Sequence, residues 1–187
     1  MQMTETRTVT ARDGRTFTVR RLRLGDDREL QAFNAGLRPE SERWFRCHAY
    51  DDATVAKVLA RSEAGEDLIL GVFDGPRIIA YFFFWYFRNP VPLLGIGLQD
   101  NYQGSGLARQ MMELLVAEAR AAGRDGVELT TMLQNHRAYA LYEKVGFKYW
   151  GDVENVQANG ITVIERAMYY AIKPGSQPPK GRHAPPV

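Results

Sequence analysis

The segment Ile78–Phe87, IIAYFFFWYF, constrains this chain more than any other stretch. Apolar and polar residues do not alternate in it, so it is not a strand with one wet face. Leu68–Phe73 precedes it, joined through Asp74-Gly75, a dipeptide of the favoured hairpin type. A strand of that composition needs cover on both faces. Such a run can also serve as a wall for a lipid or an aromatic substrate; a central strand between two helical layers is the preferred reading. It is about half the length of a membrane span, which needs roughly 20 apolar residues.

The flanking segments fit that frame. Phe17, Val19 and Leu22 alternate as a strand and lead to a helix start at Gly25-Asp26-Asp27. Two further helices are expected over Pro39–Cys47 and Asp51–Ser62. Leu93–Leu98 reads as the strand after the Asn89-Pro90-Val91-Pro92 turn, and Gly106–Ala122 as a helix with Leu107, Met111, Leu114 and Leu115 on one face. Val127–Met132 is a strand, Asn135–Val145 a helix closed by Gly146, and Phe147–Val153 and Ile161–Ile172 the last strands, turning at Asn159-Gly160. A mixed sheet covered by helices follows. Residues 1–14 are polar and expected to be flexible, 15–172 form the one domain, and the Pro-rich residues 173–187 are expected to be a disordered tail.

Composition narrows the function. The 187 residues carry 24 Lys and Arg against 22 Asp and Glu, a balance unsuited to coating nucleic acid. The single cysteine, Cys47, makes neither an internal disulfide nor a cysteine-rich zinc site, and the three histidines show no metal-ligand spacing. No metal, nucleic acid or membrane is therefore expected. The N-terminus lacks an apolar export segment, so the expected location is cytoplasmic.

The segment that carries chemistry is Leu93–Ala108, LLGIGLQDNYQGSGLA. A strand runs into a glycine-containing turn and then directly into a helix. Unsatisfied amides and the dipole at a helix start bind phosphate without a lysine. A Walker loop is excluded because no lysine follows, and the dinucleotide fingerprint lacks its third glycine, where Arg109 stands. Gly95 and Gly97 lie inside the preceding strand, where glycine marks a bulge or a close approach. An extended ligand along the strand, with phosphates in the loop, fits both signals, and coenzyme A has that shape.

Two motifs in this part of the chain resemble those of the GNAT N-acetyltransferases. Gln103-Gly104-Ser105-Gly106-Leu107-Ala108 matches the [QR]-x-x-G-x-[GA] acyl-CoA motif. Asn135 to Phe147 matches the second signature, N-x-x-A-x-x-L-Y-E-K-x-G-F. The resemblance implies an α/β (α+β) fold with a mixed, mostly antiparallel sheet of about seven strands and helices on both faces. It also implies acyl transfer from acetyl-CoA to a primary amine of a small molecule or protein, in a monomer or homodimer.

Carried over by position, the amides of Gln103, Gly104, Ser105, Gly106, Leu107 and Ala108 are expected to hold the pyrophosphate. The backbone of Leu98 pairs with pantetheine and orients the thioester, Asn135 contacts the pantetheine arm, and Tyr142 protonates the departing thiolate. Tyr142 also lies on the apolar helix face, where a core aromatic with a satisfied hydroxyl is the alternative. Glu40, Trp44 and Phe45 are placed at the acceptor side; simple packing is the other use of Trp44 and Phe45.

Asp100–Leu107 and Leu37-Arg38-Pro39-Glu40-Ser41 further resemble bacterial protein-lysine acetyltransferases. Those enzymes carry a glutamate early in the strand before the loop, where this chain has Leu93. Proton removal is then left to water, to Glu40 or Glu42, or to the substrate. The missing glutamate also keeps open a non-catalytic acyl-CoA-binding module.

Overall fold

The computed structural model describes residues 6–45, 47–156, 160–180 and 185–187. The elements in chain order are β1 (Arg7–Thr10), β2 (Thr16–Arg21), α1 (Asp27–Ala35), α2 (Pro39–Trp44), α3 (Asp52–Glu63), β3 (Leu68–Asp74), β4 (Arg77–Trp85) and β5 (Leu93–Leu98). They continue with α4 (Leu107–Ala121), β6 (Gly126–Met132), α5 (His136–Val145), β7 (Lys148–Val156) and β8 (Thr162–Ala171). Among the described residues one sheet of eight strands has the order β1-β2-β3-β4-β5-β6-β8-β7, with only the β5–β6 pair parallel.

The apolar run is a central strand covered on both sides. Side chains of a strand alternate between faces, and β4 divides accordingly. Phe82 and Phe84 enter the core beneath α4 and α5, with Met111, Leu115, Leu129 and Met168. Tyr81, Phe83 and Trp85 enter a second core beneath α1 and α3, with Leu30, Phe33, Val55 and Leu59.

Three expectations need correction. The sheet has eight strands rather than seven, because Arg7–Thr10, expected to be flexible, is an edge strand paired with β2 from Arg7↔Val19 to Thr10↔Thr16. Within it only Val9 is buried, so a polar, Thr-rich edge gives no apolar pattern to read. The helix expected over Pro39–Cys47 stops at Trp44, because Phe45 leaves the helical conformation and sets its ring 5.0 Å from that of Tyr81. The tail is not wholly apart from the domain: Lys173 Nζ lies 2.5 Å from Asp125 Oδ1, Tyr169 donates to Ser176 Oγ at 3.0 Å, and Val187 packs against the second core. Asn159 of the expected last turn, and His183 in the tail, lie outside the described residues.

Candidate active site

The parallel pair β5–β6 is joined only at its start, where Leu93 faces Glu128 and the Glu128 amide donates to the Pro92 carbonyl at 3.1 Å. Beyond that point the strands part. On this side the backbone edge of Leu94–Leu98 meets no other strand among the described residues, whereas its other edge is bonded to β4 from Trp85↔Leu93 to Ala80↔Leu98. A split sheet leaves amides and carbonyls free to pair with a ligand's own amides. The gap opens into a cleft of about 1190 Å³ reached from both faces of the sheet.

The cleft ends at the loop before α4. Gly104 and Gly106 adopt φ of +81° and +88°, left-handed values open to glycine at little cost, and Gly106 is the N-cap of the 15-residue α4. No acidic residue stands in the first turn of α4, so its amide dipoles face the cleft unopposed.

Arg12, from the β1–β2 hairpin, binds this loop twice: its amide donates to the Ser105 carbonyl at 2.9 Å and its Nη1 to the Gly104 carbonyl at 3.3 Å. Arg137 Nη1 donates to Gln103 Oε1 at 3.1 Å, and Arg109 lines the same end. Three guanidiniums, of which Arg109 is paired with Glu113 at 2.8 Å, and a helix start gather positive charge at this end of the cleft. These arginines were not foreseen as site residues; Arg12 lies in the segment expected to be loose.

The other motif residues line the same cleft. Leu98 ends β5 at its rim, and Gln103, Gly104, Gly106 and Ala108 border it. Ser105 stays within the loop, its Oγ 3.4 Å from the Leu107 amide, and Leu107 is fully buried under the helix start. Asn135 caps α5 by accepting from the Ala138 amide at 3.2 Å; its Nδ2 has no partner among the described residues. Tyr142 is 8% exposed, its ring 6.3 Å from that of Phe147. Among the described residues its hydroxyl has no hydrogen-bond partner, although it lines the cleft. That departs from a core tyrosine, whose hydroxyl is normally satisfied. Burial, with the nearby Glu165 carboxylate adding to it, raises the phenol above its ordinary range and keeps it protonated.

The opposite wall is apolar and aromatic. The sequence placed Gly95 and Gly97 as room for a ligand; instead, a Cβ on residue 95 would collide with the Phe83 ring, and one on residue 97 with the Phe45 ring. The glycines do mark a close approach, but of aromatic side chains. Leu93 packs on the same second core and offers no charge.

At this wall Cys47, which also lines the cleft, has its Sγ 3.3 Å from Tyr81 Oη, which lies 3.1 Å from His48 Nε2. His48 Nδ1 is 2.6 Å from the Ala49 carbonyl, so it carries the proton and Nε2 accepts from Tyr81. Burial pushes the Cys47 thiol up to about 12, so it is not a nucleophile at neutral pH. Trp44 is 37% exposed at the mouth, and Glu40 is exposed beside it, whereas Glu42 does not border the cleft.

Asp100 clasps the two halves of the site. Its Oδ2 accepts from the Arg38 amide at 3.0 Å and its Oδ1 from Ser41 Oγ at 2.6 Å, while Gln103 Nε2 reaches Ser41 Oγ at 3.1 Å. Burial pushes this carboxyl up, but the Ser41 and Arg38 bonds outweigh it and hold the carboxyl below the usual range. The start of α2 and the loop before α4 are thereby fixed to each other.

The sequence model described as the Acetyltransferase (GNAT) family matches residues 29–147. The chain belongs to the GNAT acetyltransferase family. That membership makes acetyl-CoA its acyl-donor co-substrate, and the split sheet, glycine loop and arginines fit that molecule.

Solved GNAT structures share the fold. The GNAT domain of S. lividans PAT is 20% identical, with a TM-score of 0.73 over 89% of this chain and 96% of its own. YncA, a putative acetyltransferase from Salmonella typhimurium solved with acetyl-CoA, is 17% identical, with a TM-score of 0.69 over 88% and 99%. The ribosomal-protein-S5-alanine acetyltransferase of Vibrio fischeri is 14% identical, with a TM-score of 0.72 over 86% and 96%. No curated protein sequence matches the chain. Among the described residues no helix is long and apolar enough to cross a membrane, and no group of His, Cys, Asp or Glu could hold a metal.

Proposed function

We propose that this GNAT protein transfers an acetyl group from acetyl-CoA to a primary amine, of a small molecule or a protein, by direct attack with both substrates bound. The observation that carries the reading is the Tyr142 hydroxyl, unpartnered among the described residues, at a sheet gap that ends in a phosphate-binding helix start. Acetyl-CoA supplies an acetyl thioester, which a neutral amine attacks.

The residues divide the work. The amides from Gln103 to Ala108, with Arg12, Arg109 and Arg137, hold the phosphates. The free edge of β5 up to Leu98 and the Asn135 amide group hold the pantetheine arm. Amides of the same edge steady the oxyanion. Tyr142 donates its proton to the departing sulfur. Glu40, Trp44 and Phe45 border the acceptor's approach. The location we assign is the cytoplasm.

Leu93 supports a second reading, a non-catalytic acyl-CoA-binding module, because no carboxylate stands at that strand position. One experiment separates the two. Purified protein is mixed with acetyl-CoA and spermidine, tryptamine, an alanine-led peptide or a lysine peptide, and free thiol is followed. Amine-dependent release supports the enzyme; tight acetyl-CoA binding by calorimetry without release for any amine supports the module.

A further inference from the structure

Among the described residues three carboxylates border the cleft: Glu40, Asp100 and Glu165. Both oxygens of Asp100 are taken by Arg38 and Ser41, and Glu40 is exposed on the short helix α2. Glu165 differs from both. It is half-buried on β8, opposite Met132 of β6 and Val153 of β7. Asn155 Nδ2 donates to Glu165 Oε2 at 2.5 Å and is 3.2 Å from Thr130 Oγ1. Glu165 Oε1 has no partner among the described residues.

Strand register fixes the face on which this group stands. Leu129 and Met168 are paired and belong to the core under α4 and α5. Side chains alternate, so Thr130 and Glu165 lie on the other face, as does Asn155, which is paired with Val163. That is the face of Leu93, Gly95 and Gly97 across the gap, since Leu94, Ile96 and Leu98 belong with the α4 core. Tyr142 comes from the opposite side of the sheet and lines the same cleft as Glu165. A thioester lying in the gap would have a carboxylate on one side and a phenol on the other.

We propose that Glu165, held by Asn155, takes the proton of the attacking amine in place of a carboxylate on β5. This inference rests on the acetyl-transfer reading above. The amine lone pair forms the new C–N bond, the C–S bond breaks, the nitrogen's proton goes to Glu165, and the Tyr142 proton goes to sulfur. The resulting phenolate then recovers its proton from Glu165. The net reaction is amine plus acetyl-CoA to amide plus coenzyme A, with both residues restored. Asn155 is a positioning residue, aiming Oε1 at the gap. On the adjacent strands the same-face neighbours of Glu165 are Thr130, Met132, Val153 and Asn155, none of them charged. Across the gap α5 brings Tyr142 to the cleft together with His136, Arg137 and Lys144. The other charged groups at the acceptor side are Glu40, Arg38, Arg43 and Asp100.

The test uses the full chain, acetyl-CoA and the four probe amines named above. Glu165→Gln keeps the Asn155 bond but cannot take a proton. It is expected to lower kcat by about 10²–10⁴, leave acetyl-CoA affinity unchanged, and remove the carboxylate limb on the acid side of the kcat/KM profile. Asn155→Ala is expected to lower kcat less and shift that limb. Circular dichroism and acetyl-CoA titration verify folding, and Glu165→Asp serves if the glutamine variant is unfolded, with a smaller loss of kcat expected. As a readout independent of turnover, Tyr142 in ¹³C-tyrosine-labelled protein is expected to titrate at lower pH in Glu165→Gln than in wild type. Wild-type kcat and an unchanged pH profile in a folded Glu165→Gln protein overturn this inference and leave the acetyl-transfer reading standing. Failure of wild type to acetylate any probe overturns both.

Discussion

The Phe83 ring occupies the space that a side chain on residue 95 would need, one strand away on the face of the sheet under α1 and α3. Phe83 is 1% exposed and packed 4.3 Å from the Trp85 ring, so it cannot swing aside. Gly95→Ala is therefore an overpacking change, expected to cost about 1–3 kcal/mol. At about 2–4 °C per kcal/mol for a chain of this size, the loss is visible in a thermal melt. The double variant Gly95→Ala/Phe83→Leu should recover most of it. Gly97→Ala meets Phe45, a half-buried ring just past the end of α2, and is expected to cost less.

The central strand and the elements around the cleft were legible in the sequence. The unbroken run of β4 required cover on both faces, and the two motifs marked the loop and α5. The use of Gly95 and Gly97 was not legible, because a strand glycine says that something comes close without saying what. Arg12 was hidden for another reason: an edge strand with one buried residue has no pattern, so nothing placed its hairpin against the loop. Glu165 was hidden because its relation to Asn155, Thr130 and Tyr142 exists only through the pairing of β6, β8 and β7. Nothing local to VIERAM announces a carboxylate at a gap.

Gly106 carries a conformational demand as well as an open approach. At φ +88° a Cβ is strained, and it would lie 3.3 Å from Arg12 Cγ. Gly106→Ala is expected to cost about 1–2 kcal/mol of stability and to weaken acetyl-CoA binding. Arg12→Ala leaves the left-handed turn intact but removes a charge and the Gly104 contact. Its melting temperature should stay near wild type while acetyl-CoA affinity falls about 10- to 100-fold, the effect of a lost charge-assisted bond of roughly 1.5–3 kcal/mol. Calorimetric titration of both variants checks the pair; equal affinity in Arg12→Ala and wild type would remove Arg12 from the phosphate site.

The buried His48 sets a pH dependence of stability. Burial lowers its pKa, partly offset by the Ala49 carbonyl and by Asp51. In the unfolded chain the imidazole takes a proton as pH falls through about 6.5. The folded chain takes it only at lower pH, so the unfolded state binds more protons in that interval. Stability therefore falls as pH drops from about 6.5 towards the depressed folded value, with no contribution from this group above it. Denaturant unfolding from pH 7.5 to 5 should show that slope, and His48→Gln should flatten it.

Tyr142 gives the sharpest test of the chemistry. Its ring is packed, so Tyr142→Phe keeps most of the packing and deletes only a hydroxyl that has no partner among the described residues. Removing an unpartnered, nearly buried hydroxyl leaves no orphaned group behind, so stability should stay the same or rise slightly. Turnover should fall by about 10²–10⁴, the usual loss for a positioned general acid. Acetyl-CoA affinity should not change, because the hydroxyl matters only once the sulfur develops charge. The raised phenol pKa keeps the acid protonated throughout the neutral range, so the basic limb of wild-type turnover should not report Tyr142 below pH 10. A further sign is leaving-group sensitivity: without an internal acid, acyl donors with more acidic thiols should lose less rate than acetyl-CoA. A Tyr142→Phe protein that turns over at the wild-type rate would reduce the tyrosine to packing and assign protonation of the thiolate to water.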